Sequence, residues 1–232
     1  MDILTAEQFT ALTQDNHAKI LSDSTEGPKV LQKPNGDIVK IFYSSKKKSL
    51  FSLPHAVRFS RSARGLNAAG FLAPTIKALA YYPSKKAHIL TYTEIPGEDF
   101  RALSSPADPG LLKKLPAFLA ALHQKGIFYR GIHLGNVLLT PQEEIALIDI
   151  TNVAINNKPL SLKQRAKNLA HFVYYWRDTE VFRAYRRRHF LQQYALAAAL
   201  SNEELKKLRH FIAMRLMATK KKRTQNVLSR SS

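Results

Sequence analysis

Four residues of this 232-residue sequence have types and spacing that could do phosphate chemistry: Lys40, His133, Asn136 and Asp149. Asn136 ends a loop that enters the apolar run Val137-Leu138-Leu139. Asp149 follows the next run, Ile145-Ala146-Leu147-Ile148, thirteen residues after Asn136. A two-strand hairpin that sets an amide oxygen beside a carboxylate makes a Mg²⁺ site. The hard cation takes oxygen ligands and completes its octahedron with water and substrate phosphates. Lys40 lies in Ile38-Val39-Lys40-Ile41, where period-two alternation can aim one ammonium at a phosphate. Each type also has a plainer use. Strand lysines are usually solvated, asparagine turns chains, and a loop histidine commonly braces backbone.

The elements that position these residues follow from punctuation and periodicity. Residues 5–13 read as a short helix capped by Thr5. Residues 29–32 and 38–43 read as strands joined by Pro34-Asn35-Gly36-Asp37, and Asn-Gly predicts a tight hairpin with positive φ at both central positions. Residues 46–70 have a helical period, and 74–79 and 88–93 read as two more strands. Pro96-Gly97 marks a boundary. Beyond it, Leu111, Leu112, Leu115, Phe118, Leu119 and Leu122 predict a helix over 110–125 that Gly126 stops. Helices are expected over 162–176, 180–200 and 202–218, with the stripe Phe172, Tyr175, Trp176 in the core. The class is therefore α+β in two lobes: a β-rich lobe at 1–95 with an antiparallel sheet and one helix, a helical lobe at 96–219 carrying the loop hairpin, and a basic tail at 220–232.

The segment Tyr129-Arg130-Gly131-Ile132-His133-Leu134-Gly135-Asn136-Val137-Leu138 with Asp149 resembles the protein-kinase-like fold. Its His-Leu-Gly-Asn-Val-Leu is similar to the H-P-G-N-x-L loop of the aminoglycoside phosphotransferase branch. With Gly27-Pro28-Lys29-Val30-Leu31 and Arg165-Ala166-Lys167-Asn168-Leu169 added, the chain most resembles bacterial lipopolysaccharide core kinases and toluene-tolerance-type proteins. The resemblance implies a two-lobed kinase-like fold that uses ATP and Mg²⁺. Lys40 would hold the α/β-phosphates, Asn136 and Asp149 the metal, and Tyr92-Thr93-Glu94-Ile95 the adenine through backbone groups. Glu98 and Asp99 would lie near ribose or a substrate hydroxyl. The implied acceptor is a sugar hydroxyl on an anionic glycolipid or phosphorylated sugar.

Three departures qualify that expectation. Gly131 stands where kinases place the aspartate that accepts the hydroxyl proton. No acid occurs between Asp37 and Glu94, so the helix glutamate that pairs with the strand lysine is missing and Asp149 becomes the candidate partner of Lys40. The phosphate-covering loop, residues 22–29, holds one glycine, Gly27. Two readings stay open. Either His133, an imidazole that titrates near neutral pH, takes the hydroxyl proton, or the chain is a pseudokinase, a nucleotide-responsive binding module without turnover. His171 reads as a structural histidine.

Composition narrows the partners. The 36 Lys+Arg against 17 Asp+Glu give a formal charge of +19, and 45% hydrophobic residues exclude wholesale disorder. With no cysteine, disulfides, thiolate catalysis and Cys-ligated zinc are excluded. The N-terminal residues are acidic where a secretory leader would be basic, which predicts a cytoplasmic protein. Lys46-Lys47-Lys48, Arg183, Arg186-Arg187-Arg188 and the run from Lys206 to Arg223 fall in stretches nearly empty of acids. They point to anionic lipid or phosphorylated sugar, and to a peripheral position on the inner face of the inner membrane. Nucleic acid is disfavoured as partner, because aromatics are not interleaved with the basic runs.

Overall fold

The computed structural model describes residues 1–43 and 53–228, with side chains through Thr219. The Lys46-Lys47-Lys48 run, the first part of the helix predicted from residue 46, and the side chains of the tail predicted at 220–232 lie outside the described residues. The chain folds as α+β in two compact units, Met1–Pro96 with Ala146–Asn152, and Gly97–Ile145 with the chain from Val153 onward. The segment holding Asp149 therefore belongs to the first unit, not to the 96–219 lobe predicted from sequence. Its anchors are local: Ala146, Leu147 and Ile150 are buried, and the Leu147 N–H donates to Leu72 O at 2.9 Å.

The first unit runs β1 (Asp2–Ile3), α1 (Ala6–Thr13), β2 (Lys19–Ser22), β3 (Val30–Gln32), β4 (Asp37–Tyr43), α2 (His55–Ala68), β5 (Ile76–Tyr82) and β6 (Ala87–Thr93). The strands form one sheet in the order β1-β5-β6-β4-β3-β2. It is mixed, not antiparallel as predicted, because β1 lies parallel to β5. β2 escapes sequence reading because all four of its residues are exposed, which leaves no alternation to detect. Gln8 completes a capping box with Thr5 at the start of α1.

The predicted tight hairpin between β3 and β4 is a different turn. Gly36 N–H donates to Lys33 O at 2.9 Å, and Gly36, at φ 80°, is the one residue of Pro34-Asn35-Gly36 with positive φ. A four-residue turn, 33–36, whose last residue is the left-handed glycine closes the hairpin. Alternation along β4 then divides its side chains. Val39 and Ile41 join Phe9, Leu31, Ala80, Ala87 and Ile89 in a core on the α1 side. Lys40 and Phe42 project to the opposite face, where Lys40 Nζ lies 5.5 Å from the ring centroid of Phe59 on α2.

The second unit contains β7 (Glu98–Asp99), α3 (Phe100–Leu103), α4 (Leu115–Gln124), β8 (Ile127–Tyr129), β9 (Val137–Leu139), the start of β10 (Ile145–Leu147), β11 (Val153–Ile155), α5 (Leu162–Val173), α6 (Thr179–Ala184), α7 (Arg187–Ala197) and α8 (Asn202–Leu228). β7 pairs antiparallel with β9, and β8 with β11. Phe172, Phe182 and Phe190 form a buried aromatic cluster with centroids 5.3–5.9 Å apart.

The helix predicted over 46–70 begins at His55 and ends at Ala68, α8 runs to Leu228 past the predicted 218, and three other boundaries shift. Residues 110–114 are 3₁₀ turn and the α-helix starts at Leu115, with Pro116 in its first turn. The helix predicted to 176 stops at Val173, which leaves Trp176 outside the core and 65% exposed. The helix predicted over 180–200 breaks where Arg186 takes φ 63°. No helix of the described residues is long and apolar enough to cross a membrane.

Candidate phosphate and metal site

In the first unit Lys40 Nζ lies 2.6 Å from Asp149 Oδ1. The pairing across β4 sets Lys40 between Val30 of β3 and Leu90 of β6, which fixes its direction. Phe42 and Phe59, with ring centroids 5.7 and 5.5 Å from the ammonium, flank it. Asp149 follows β10 in a left-handed backbone conformation, φ 51°, that costs an aspartate on the order of 1 kcal/mol. Its side chain is 55% exposed, against 19% for that of Lys40. The loop that presents Asp149 continues as a 3₁₀ turn packed on α2, and Arg58 Nη2 donates to Asn152 Oδ1 at 2.6 Å. The described part of α2 carries arginines and no acid, so the contact a helix glutamate would make to Lys40 is made by Asp149.

The donor chemistry at Asp149 fits Mg²⁺, which is usually held by one or two carboxylates with substrate phosphates supplying the rest. No group of three or more His, Cys, Asp or Glu able to hold a metal occurs among the described residues. A self-contained metal centre is therefore not built there.

The segment expected to read adenine has its donors partly spent. Thr93 N–H donates to Thr75 O at 3.0 Å and Glu94 N–H to Gly36 O at 3.2 Å. Pro96 has no N–H to offer. The Glu94 carboxylate accepts from Gln32 Nε2 at 2.6 Å. Tyr92 stacks on Phe59 at 5.2 Å. Burial first, then Asp149 and Glu94, push its phenol well above the ordinary value. Residues 23–29 close on themselves through reciprocal Ser24–Gly27 backbone bonds at 3.0 and 3.1 Å.

In the second unit the loop after β8 carries Gly131, His133 and Asn136. Asn136 Nδ2 donates to Gly131 O at 3.0 Å, which commits the donor side of the amide and leaves its oxygen to accept or ligate. His133 stacks on Tyr175 at 4.4 Å, and its Nδ1 lies 3.1 Å from Arg101 Nη2. A guanidinium only donates, so Nδ1 accepts, and the neutral ring carries its proton on Nε2. Asp178, fully buried, holds Arg101 Nε at 2.6 Å and accepts from the Leu134 N–H at 2.9 Å. Gly135 is needed under this brace, since a Cβ there would lie 2.3 Å from Arg101 Nη1.

Two expectations change. Asp99 caps α3 by accepting from the Arg101 and Ala102 N–H groups at 2.9 and 3.0 Å, so its carboxylate is engaged locally rather than awaiting ribose. His133 has its Nδ1 lone pair engaged by Arg101, which argues for the loop-bracing use over the base. Sequence reasoning missed Arg101 and Asp178. They are 77 residues apart, and the one faint signal was the pair of acids, Asp178 and Glu180, within an aromatic, basic stretch. A scan against protein-family models gives no match, and no curated protein is significantly similar to the chain.

Proposed function

We propose that the chain is an ATP- and Mg²⁺-dependent phosphotransferase of the protein-kinase-like fold. Its acceptor would be a sugar hydroxyl of a lipopolysaccharide core or similar anionic glycolipid. The observation that carries this reading is the Lys40–Asp149 pair at 2.6 Å: a strand lysine and an exposed carboxylate in strained backbone, 109 residues apart in sequence. Backbone strain held at one residue is a recurrent property of functional sites. The run β2-β3-β4-β6-β5, antiparallel throughout with α2 inserted after β4, supports the fold assignment.

In this reading Lys40 holds the α/β-phosphates and Asp149 the metal, while the resemblance assigns the other metal oxygen to Asn136. When bound, Mg²⁺ supplies charge neutralisation on the transferring phosphoryl group. The acceptor oxygen forms its bond to the γ-phosphorus as the β–γ bridging bond breaks. The hydroxyl proton passes to a phosphoryl oxygen or water, because Gly131 offers no side chain. Phosphoryl transfer depends mostly on positioning and electrostatics, so a missing base slows it without forbidding it.

The pseudokinase is the second reading, favoured by Gly131 together with the Arg101 contact that engages His133 Nδ1. Thermal-shift measurements with ATP, with and without Mg²⁺, test the nucleotide site. Metal-dependent stabilisation, about 2.7 kcal/mol at a hundredfold excess over Kd, is expected of the wild type and absent from Asp149→Asn. No shift with any nucleotide sinks both readings. Binding without transfer to any core-sugar acceptor leaves the pseudokinase.

A further inference from the structure

Outside that site, the second unit has a cavity of about 370 Å³ where β8, α5, the Tyr174–Trp176 turn and α8 meet. This falls within the roughly 300–1,000 Å³ of small-molecule sites. Its lining has two chemistries and omits a third. Arg130, Lys167 and Arg215 bring three permanent or near-permanent cations, all exposed. Phe128, Tyr174, Tyr175 and Trp176 bring aromatic faces. No aspartate or glutamate lines it, and no carboxylate ion-pairs with any of the three cations among the described residues.

The aromatics are not there as core. Trp176 is 65% exposed and Tyr174 38%. Arg177 stands 4.9 Å from the Trp176 centroid, which adds positive charge at the lip. Asn168, on the floor, is already committed: Nδ2 donates to Tyr129 O at 2.7 Å and Oδ1 accepts from His123 at 3.0 Å. The floor is therefore held by hydrogen bonds within the fold. Burial holds the His171 pKa below its ordinary value, with Asp178 opposing and Arg215 reinforcing the shift, so the ring enters the lining as a neutral hydrogen-bonding group.

We propose that this cavity binds an anionic sugar. Its phosphate or carboxylate is held by Arg130, Lys167 and Arg215, and the apolar face of its ring lies on Trp176 and Tyr174. A bare anion site would not present exposed aromatic side chains beside the charges, and an apolar groove would not gather three cations that ion-pair with no carboxylate among the described residues. As the place for an acceptor the inference rests on the phosphotransferase reading; as an anionic-sugar site it rests on the cavity.

Trp176 is the only tryptophan of the chain, so its fluorescence reports this cavity in the intact protein. Glucose 6-phosphate and glucuronate should change that emission saturably, while glucose and inorganic phosphate bind at least about tenfold more weakly. Lys167→Gln and Arg215→Gln should each weaken glucose 6-phosphate about tenfold, and Arg215→Lys should restore part of the loss. Both positions are exposed, so folding is not at stake. Asp149→Asn should leave sugar-phosphate binding intact while abolishing the Mg²⁺–ATP response; a wild type that gives the sugar signal but no Mg²⁺–ATP response sinks the phosphotransferase reading alone. No saturable change, an equal response to inorganic phosphate, or indifference to both glutamine variants overturns the sugar site. Phosphatidylglycerol vesicles separate the sources. A vesicle response displaced by glucose 6-phosphate identifies a lipid-linked headgroup, no vesicle response identifies a free sugar phosphate, and a response that is not displaced assigns the surface to membrane and overturns the proposal.

Discussion

Arg101 Nε lies 2.6 Å from Asp178 Oδ1, and through this pair one buried carboxylate decides which nitrogen of His133 bears the proton. Asp178 fixes the guanidinium, the guanidinium donates to Nδ1, and Tyr175 stacks against the ring at 4.4 Å. The same carboxylate accepts from Leu134 N–H at 2.9 Å, so loop backbone and histidine are set by one group.

The tautomer can be read directly. Nitrogen-15 NMR of the histidine rings at neutral pH should show His133 protonated at Nε2 and bare at Nδ1 in the wild type. In Arg101→Met that preference should weaken toward the mixture of a solvated imidazole. A His133 ring protonated at Nδ1 would contradict the geometry.

Lys40→Met separates binding from stability. The pair it removes joins side chains 19% and 55% exposed, and exposed ion pairs contribute about 0–1 kcal/mol. Urea unfolding should therefore move by no more than about 1 kcal/mol, while the Mg²⁺–ATP thermal shift falls sharply. A large loss of stability would make Lys40 structural and would count against the phosphate role.

His123 makes stability depend on pH. It is buried with Nδ1 2.7 Å from the Tyr194 hydroxyl and Nε2 3.0 Å from Asn168 Oδ1, an oxygen that can only accept. Nε2 therefore carries a proton, and burial lowers the ring's pKa from 6.5 to about 4, which keeps it neutral at pH 7; Arg165 adds in the same direction and the Asn168 bond opposes. Between those values the unfolded chain binds the proton and the folded chain does not. The contribution is fully present above pH 6.5 and is lost as pH falls toward about 4, by on the order of 3 kcal/mol. Urea titrations across this window should show the fall in the wild type and a shallower one in His123→Gln. Equal slopes would sink the assignment.

Gly126→Ala should be among the most damaging small substitutions. Gly126 ends α4 at φ 73°, and a Cβ there would lie 2.3 Å from Asn156 O and 2.5 Å from Lys158 O. Those are backbone atoms and cannot swing aside. Gly36→Ala, with φ 80° but nothing within 4 Å, isolates the conformational part alone, about 1 kcal/mol. The difference between the two in chemical denaturation measures the clash, and equal losses would show that the backbone near residue 156 yields.

Much of the secondary structure was legible because its causes are local. β4 and β6 show in alternating β-formers, α4 in its leucine spacing, α1 in its Thr5 cap, and Pro96-Gly97 in its punctuation. Lys40 stood out because alternation isolates one cation in an apolar strand. The absence of acids from Asp37 to Glu94 left Asp149 as the candidate partner before any contact was visible. What only the tertiary structure decided depends on chain segments far apart in sequence. Short apolar runs do not say which sheet or helix they pack on, so only burial places residues 146–152 in the first unit. Arg101 and Asp178 carry no local pattern, and their partnership exists only once the chain has folded around His133. The break at Arg186, with no proline or glycine to announce it, and the exposure of Trp176 follow the packing of Phe172, Phe182 and Phe190. Periodicity specifies what each segment prefers to bury; only the closed core determines which residues are left outside it to meet a ligand.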